Sequence, residues 1–355
     1  MPAGSKGEAR KGNVMGTAMG VIEMNDEVLA ASGTMKALVQ EGRGSADVLH
    51  LREIPVPKLT EGRVLVRMRA ASVNALDWHS THGGLILEIV GKIMRSKDEP
   101  VRGVDLAGTI VAVGPGVTRF KPGDEVFGSA PASFAEYVRA REDRLLPKPP
   151  ELPFEQAATL NVAGHTALQA LRDHAQVKPG QRVLIYGAGG GVGTFAVQIA
   201  KALGAEVTAV TGPRNVDVVR SLGPDLVIDH TKERVSRRPE RYDAVIDIAA
   251  TRSISELRRV LKPEGIFIQV GAAKKGGLVG IFARLIAGVV RARIGQRVKF
   301  FVAKNRIADL EFLLELIAAG KLRPTIERTY PLAEARDAVR YVGTGQARAK
   351  VVIIA

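Results

Sequence analysis

The chain has 355 residues, room for about two domains of roughly 150 residues each. It has no cysteine, which excludes disulfides, thiolate zinc sites and thiol nucleophiles. Its net charge of +14 raises nucleic acid or anionic lipid as partner, but the excess is local. Between residues 265 and 308 there is no acid, while lysines and arginines recur from Lys274 to Arg306. An ordinary solvated basic face gives the same pattern.

Residues 1–34 lack a compact apolar core and contain Glu8, Glu23, Asp26 and Glu27, so they do not read as a secretory signal. Their Gly, Ser, Ala and Met content reads as a disordered extension. Short strands are expected at 35–39, 64–68, 109–113 and 125–127, separated by glycine- and proline-rich turns. They predict a β-rich unit over 35–158. The rhythm then changes. A helix is expected at 157–172, followed by alternating strands (183–186, 207–210, 226–228, 244–247, 266–270) and helices (194–203, 216–222, 254–261). That alternation predicts a parallel, doubly wound α/β sheet over 159–302. A helix at 307–319 and a strand at 350–354 close the chain, and 303–355 is assigned back to the first unit. No stretch is long and apolar enough to span a bilayer; the best, 278–290, is too short and carries Arg284. A cytoplasmic location is the expectation.

The strongest motif is the loop Gly187, Ala188, Gly189, Gly190, Gly191, Val192 and Gly193, between a buried apolar strand and an amphipathic helix. This is the context a dinucleotide loop requires. Glycines let the backbone approach a pyrophosphate, and the helix start offers free N–H groups and the positive dipole end. NAD-binding sites usually place an acid at the end of the next strand to bond the ribose diol. Here that strand runs into Thr211, Gly212, Pro213, Arg214 and Asn215 with no acid. Thr211 and Arg214 suit a 2′-phosphate, so NADPH is favoured over NADH.

The order of these units, with Ala71-Ser-Val-Asn-Ala-Leu-Asp77, Gly103-Val-Asp-Leu-Ala-Gly108, Lys121-Pro-Gly-Asp124, Ser133-Phe-Ala-Glu-Tyr137, Gly164-His-Thr-Ala167, the glycine loop and Ala349-Lys-Val-Val352, resembles the medium-chain dehydrogenase/reductase superfamily. Within it the chain is most similar to the zinc-independent quinone oxidoreductase branch. The resemblance implies a GroES-like β-barrel domain packed on a Rossmann domain, with the nicotinamide between them. Zinc-dependent relatives carry Cys-His where this chain has Asn74 and Ala75, and His-Glu where it has Val104 and Asp105. Neither place keeps a zinc ligand set, so no metal is expected.

By the same resemblance, Asn74 bonds the acceptor oxygen or the nicotinamide ribose, Asp77 orders the Asn74 loop, and Thr166 lies against the nicotinamide end of the cofactor. His165, where an apolar residue is commoner, is a candidate for proton delivery through water. Gly271 and Ala272 match the segment that bonds the carboxamide, His230 stands beside the adenosine phosphate, and Lys350 lies close to the cofactor phosphates. The implied reaction is hydride transfer to a quinone or α,β-unsaturated carbonyl, with reduction of an enoyl thioester or aldehyde as the alternative. A non-catalytic NADPH- or RNA-binding protein is the alternative of another class, supported only by the basic run. A small lipophilic substrate and a homodimer are the implied partners; nucleic acid and membrane contact are not favoured.

Overall fold

The computed structural model describes residues 33–82, 100–270 and 297–355. Gly271, Ala272, the apolar stretch 85–94 and the basic residues 274–293 lie outside them. The N-terminal unit begins with β1 (Thr34–Gln40), paired antiparallel with β2 (Leu49–Pro55). β3 (Arg63–Val73) is the spine of a second, larger sheet and leads into α1 (Ala75–His82). It pairs antiparallel with β4 (Asp105–Val113) and with β6 (Tyr137–Arg141). β5 (Glu125–Ser129) and β7 (Leu145–Pro147) extend the β4 side. β4 starts four residues before the strand expected from the sequence, and that extension brings Asp105 into the sheet.

A helical run over 154–175 connects this unit to the next. It is longer than the helix expected at 157–172 and is not regular. Two stretches, Leu160–Gly164 and Gln169–Ala175, have the wider π-helical turn, a form that recurs at functional sites. The run ends where Gln176 adopts a left-handed conformation.

The second unit alternates β8 (Arg182–Tyr186), α2 (Gly191–Ala202), β9 (Glu206–Thr211), α3 (Val216–Ser221), β10 (Leu226–Asp229), β11 (Tyr242–Asp247), α4 (Ile254–Arg258), β12 (Leu261–Gln269) and β13 (Arg297–Phe300). Its six strands are parallel, in the order β10-β9-β8-β11-β12-β13. This is the doubly wound order, with its switch point between β8 and β11. Val183, Leu184 and Ile185 are fully buried, as a strand covered on both faces requires. α4 is shorter than the expected 254–261 helix. Ser253 caps it by accepting from the Glu256 N–H, but Lys262 precedes Pro263, which disfavours helical backbone there, and the chain turns into β12.

The C-terminal segment holds α5 (Ile307–Ala318), β14 (Ile326–Pro331), α6 (Ala335–Thr344) and β15 (Lys350–Ile354). β15 pairs antiparallel with β3, so the last strand returns to the first unit's sheet. One buried cluster runs through both units. It joins Ala70, Ala107 and Phe127 of the first sheet, through Leu160 and Leu168 of the helical run, to Ile185 and Phe195. α5 adds Leu310 and Leu313 to it.

Phe195 is fully buried on the face of α2 that meets the parallel sheet. Phe195→Ala should therefore lower the unfolding free energy by about 3–5 kcal/mol, the usual cost of removing a buried ring. Urea denaturation followed by circular dichroism measures it, and a loss under about 1 kcal/mol would contradict the packing described.

Candidate active site

Four other places in the chain converge on one buried carboxylate, Asp105, at the start of β4. Its Oδ1 accepts from Asn161 Nδ2 at 2.9 Å and from the Val162 N–H at 3.1 Å. Its Oδ2 accepts from the Ser72 hydroxyl and from Asn74 Nδ2 at 2.9 Å, and Lys350 Nζ stands 3.8 Å away. All four hydrogen-bond partners donate, so the carboxylate acts purely as an acceptor, as the ionised form does. A charge buried among Ala, Val and Leu is tolerable only when so fully met.

Asn74 follows β3 and is itself buried. Its Oδ1 accepts from Lys350 Nζ at 2.6 Å, and its Nδ2 donates to Asp105 and, at 3.3 Å, to the Ser72 carbonyl. An ammonium only donates and a carboxylate only accepts, so one amide orientation satisfies both neighbours. Asp77, in the first turn of α1, accepts the Asn74 backbone N–H at 2.8 Å. This is the loop-ordering geometry expected of it. Burial pushes the Asp77 carboxyl from 3.8 up to about 7; the Asn74 N–H opposes the rise and the Asp105 charge adds to it. Lys350 is pushed below its ordinary range by burial, against the pull of Asp105 and Asp77.

The glycine loop lies directly beside this cluster, at the switch point of the parallel sheet. Gly187 and Ala188 both donate their N–H to the Val210 carbonyl, and Gly187 takes φ +92°. A Cβ on Gly193 would stand 2.2 Å from the Gly187 oxygen, so only glycine lets α2 start this close to the turn. Gly190 caps α2 without a side chain, and no acid lies in the first turn, which leaves the helix N–H groups and dipole end open to an anion. A Cβ on Gly189 would meet Asn215 Nδ2 at 2.4 Å and Thr211 Oγ1 at 2.6 Å. Thr211 and Asn215 are thus packed on the loop, and Asn215 Oδ1 is a buried acceptor without a partner among the described residues. Arg214 is exposed beside them, with Nη1 3.2 Å from Gln346 Oε1. His230 follows β10, donates its N–H to the Thr211 carbonyl, and with Tyr186, Val210 and Arg252 lines a narrow crevice at the carboxyl ends of the strands. A bare helix start, tight glycines and an orphaned acceptor beside them together fit a dinucleotide.

The loop is tied to the cluster by a backbone hydrogen bond next to Lys350. Ala349 N–H donates to the Gly189 carbonyl at 2.9 Å, and Lys350 Cδ would lie 3.0 Å from a Cβ on Gly191. Lys350 therefore does lie against the phosphate loop, as its family position implies. Its ammonium, however, turns away to Asn74, the Val73 carbonyl and Asp105. As placed it is a partner of Asn74, not a phosphate ligand.

The proton-delivery reading of His165 is corrected. The ring is 2% exposed, with Nδ1 2.5 Å from the Asn161 carbonyl. Nε2 faces the Arg306 backbone, 2.9 Å from its carbonyl and 3.2 Å from its N–H. Both ring nitrogens are spent on main chain, so His165 pins the segment before α5 to the helical run. Thr166 is half-buried and donates to the Val162 carbonyl at 2.6 Å, which leaves its oxygen able to accept. Asp105, Asn161 and Ser72 were not singled out as site residues from the sequence. A lone acid inside the apolar stretch Gly103-Val-Asp-Leu-Ala-Gly108 was the available signal, since a buried charge demands partners.

The raised Asp77 carboxyl predicts a pH dependence. Its folded value near 7 lies above the unfolded value near 4, so the stability it contributes is complete below about pH 4 and is lost as pH rises through 7. Asp77→Asn keeps an oxygen for the Asn74 N–H and removes the titration. Between about pH 4 and 8 the unmutated protein should lose stability relative to the variant by about 4 kcal/mol, at about 1.4 kcal/mol per unit. Parallel stability curves for the two proteins across that range would refute this.

Residues 60–150 match the alcohol dehydrogenase GroES-like domain and residues 222–353 the zinc-binding dehydrogenase family. A chloroplast quinone oxidoreductase of Triphysaria versicolor is 33% identical over 88% of this chain and 95% of its own length. An NADPH-dependent alkenal/one oxidoreductase of Arabidopsis thaliana chloroplasts is 31% identical over 90% of this chain and 79% of its own. The solved structure of the Coxiella burnetii quinone oxidoreductase superposes with a TM-score of 0.79, at 31% identity, over 91% of this chain and 99% of that one. No helix among the described residues is long and apolar enough to cross a membrane. These likenesses set aside a non-catalytic nucleotide or RNA binder. The chain is an oxidoreductase with a nicotinamide cofactor, and it belongs to the zinc-independent, quinone oxidoreductase-like branch of the medium-chain dehydrogenase/reductase superfamily.

Proposed function

We propose that this enzyme reduces a quinone or an α,β-unsaturated carbonyl with NADPH, without a metal. The observation that carries the reading is that Asn74, Lys350 and Thr166 already direct their hydrogens at groups of the chain. Both Nδ2 hydrogens of Asn74 go to Asp105 and Ser72, and Lys350 Nζ faces Asn74, the Val73 carbonyl and Asp105. Thr166 gives its hydrogen to Val162. Asn74, Lys350 and Thr166 thus offer acceptors rather than free hydrogens to an acceptor's oxygen, and Asp77, whose carboxyl is raised to about 7, is buried against the Asn74 N–H. NADPH, when bound, supplies the hydride. Acceptors that are already electrophilic and release a stabilised oxyanion suit such a site. A saturated aldehyde, whose oxygen needs an acid or Lewis acid as it becomes an alkoxide, does not.

The same bookkeeping divides the two duties implied for Asn74. Its Oδ1 retains one lone pair beyond the Lys350 contact, so it can take a ribose hydroxyl. It has no hydrogen left for an acceptor oxygen. Asn74 is therefore read as a holder of the nicotinamide ribose. A zinc ion at this place would meet the Lys350 ammonium, which already lies against Asp105. The NADPH preference rests on the acid-free end of β9 and on Arg214 beside it.

Purified protein should oxidise NADPH steadily with a simple quinone or an enone and leave a saturated aldehyde untouched. Tight NADPH binding with no turnover on any quinone, enone, enal or enoyl thioester would overturn the reading. Arg214→Ala should weaken NADPH binding about 10- to 100-fold, the worth of one charge-assisted phosphate contact, while leaving NADH binding nearly unchanged. Equal affinities for the two cofactors in the unmutated protein would remove the NADPH preference.

A further inference from the structure

We propose that Asp105 is a positioning residue for hydride transfer: with Lys350 it locks the Asn74 amide in the one orientation that holds the nicotinamide ribose. The proposal rests on the reading of Asn74 given above and assigns the residue that enforces it. Asp105 divides its contacts by oxygen. Oδ1 faces the helical run, through Asn161 and Val162, and joins β4 to the bridge between the two units. Oδ2 faces Asn74, Ser72 and Lys350. The first set is architecture. The second acts on the site.

The lock is electrostatic. Reversing the Asn74 amide would turn its NH2 toward the Lys350 ammonium and its oxygen toward the Asp105 carboxylate, two repulsive contacts among buried side chains, where the low dielectric strengthens them. With both charges present the amide oxygen stays on the Lys350 side, beside the glycine loop. Lys350 carries the same constraint to the cofactor. Its stem lies over Gly191, and its neighbour Ala349 bonds Gly189, so the loop and the Asn74 amide are held by one strand end. An asparagine at position 105 keeps the volume but offers one oxygen and an NH2 to four donors. It must set its own hydrogens against either Asn161 or Asn74, and it removes the larger of the two carboxylate charges that act on Lys350.

The test is a cycle of Asp105→Asn and Asn74→Ala, singly and together, with Lys350→Met as an independent break of the same lock. NADPH affinity is read by fluorescence, and kcat and KM with a quinone at saturating NADPH. Asp105→Asn should lower kcat roughly 100-fold, the cost of an ångström-scale misplacement, with the quinone KM changed less than about threefold. In the Asn74→Ala background the same substitution should cost less than about threefold, because the residue it positions is gone. Lys350→Met should repeat that non-additivity, and it decides the matter if Asp105→Asn does not fold. An undiminished loss in the Asn74→Ala background, or a folded Asp105→Asn protein with unaltered kcat, overturns the proposal. If Asn74→Ala alone leaves turnover and NADPH affinity intact, it is the reading of Asn74 that fails. If no acceptor is turned over, the cycle is read on NADPH affinity, where additive effects overturn the proposal and non-additive ones sustain it.

Discussion

The constraint on which the rest of the structure depends is the burial of the Asp105 carboxylate. A charge in that position forces donors to come to it, and they come from four other places in the chain: the end of β3, the residue after it, the π-helical turn and the start of β15. Several features follow from that demand. The wide turn at Leu160–Gly164 presents both the Asn161 side chain and the Val162 N–H to one oxygen. β15 must pair with β3 in the register that sets Val351 opposite Val73, which brings Lys350 over the Asn74 loop. Asp77 then holds the backbone of that loop, and Asp105 its side chain.

The cluster also explains how two differently built units share one site. The barrel-side sheet is antiparallel apart from β14 and β15, and the other sheet is wholly parallel, so no ladder joins them. They meet through a continuous apolar cluster and through polar links, among them Gln198 with the Arg323 backbone, Arg214 with Gln346 and, at the site, Ala349 with Gly189. Apolar packing is non-directional and sets how closely the units approach. The directional bonds set where the phosphate loop stands relative to Asn74. Asp77 bears the cost: its own burial, with a smaller push from the Asp105 charge, raises its carboxyl to about 7.

Much of the fold was legible because it is written locally. β8, the glycine loop and α2 announce themselves by a buried apolar strand, glycines and a helical repeat within twenty residues. Elements defined by their partners were harder. β2, β6 and β14 lie half-exposed and carry charged residues, and their identity comes from pairing with β1, β3 and β15. The helical run 154–175 read as one ordinary helix, since widened turns leave no mark in composition. The site divides in the same way. Asn74, Asp77 and Lys350 were found through motif positions, but Asp105 gathers donors 31 to 57 residues away along the chain, and no spacing rule reaches that far. His165 misled for the converse reason: an imidazole beside a site looks chemical until both its nitrogens are found on main-chain groups.

The contrast with a metal-dependent relative can be stated as electrostatics. A zinc ion at the barrel end would present a double charge with an open coordination position directly to a carbonyl oxygen. Here the cation is the chain's own. The Lys350 ammonium carries a single charge, lies beneath Asn74, and directs its hydrogens at Asn74, Val73 and Asp105. Such a cation can orient an amide and balance a buried carboxylate. In the reading proposed above, catalysis draws on orientation of the hydride donor and on the electrophilicity of the acceptor itself. That division of labour is what an ammonium under an amide can provide.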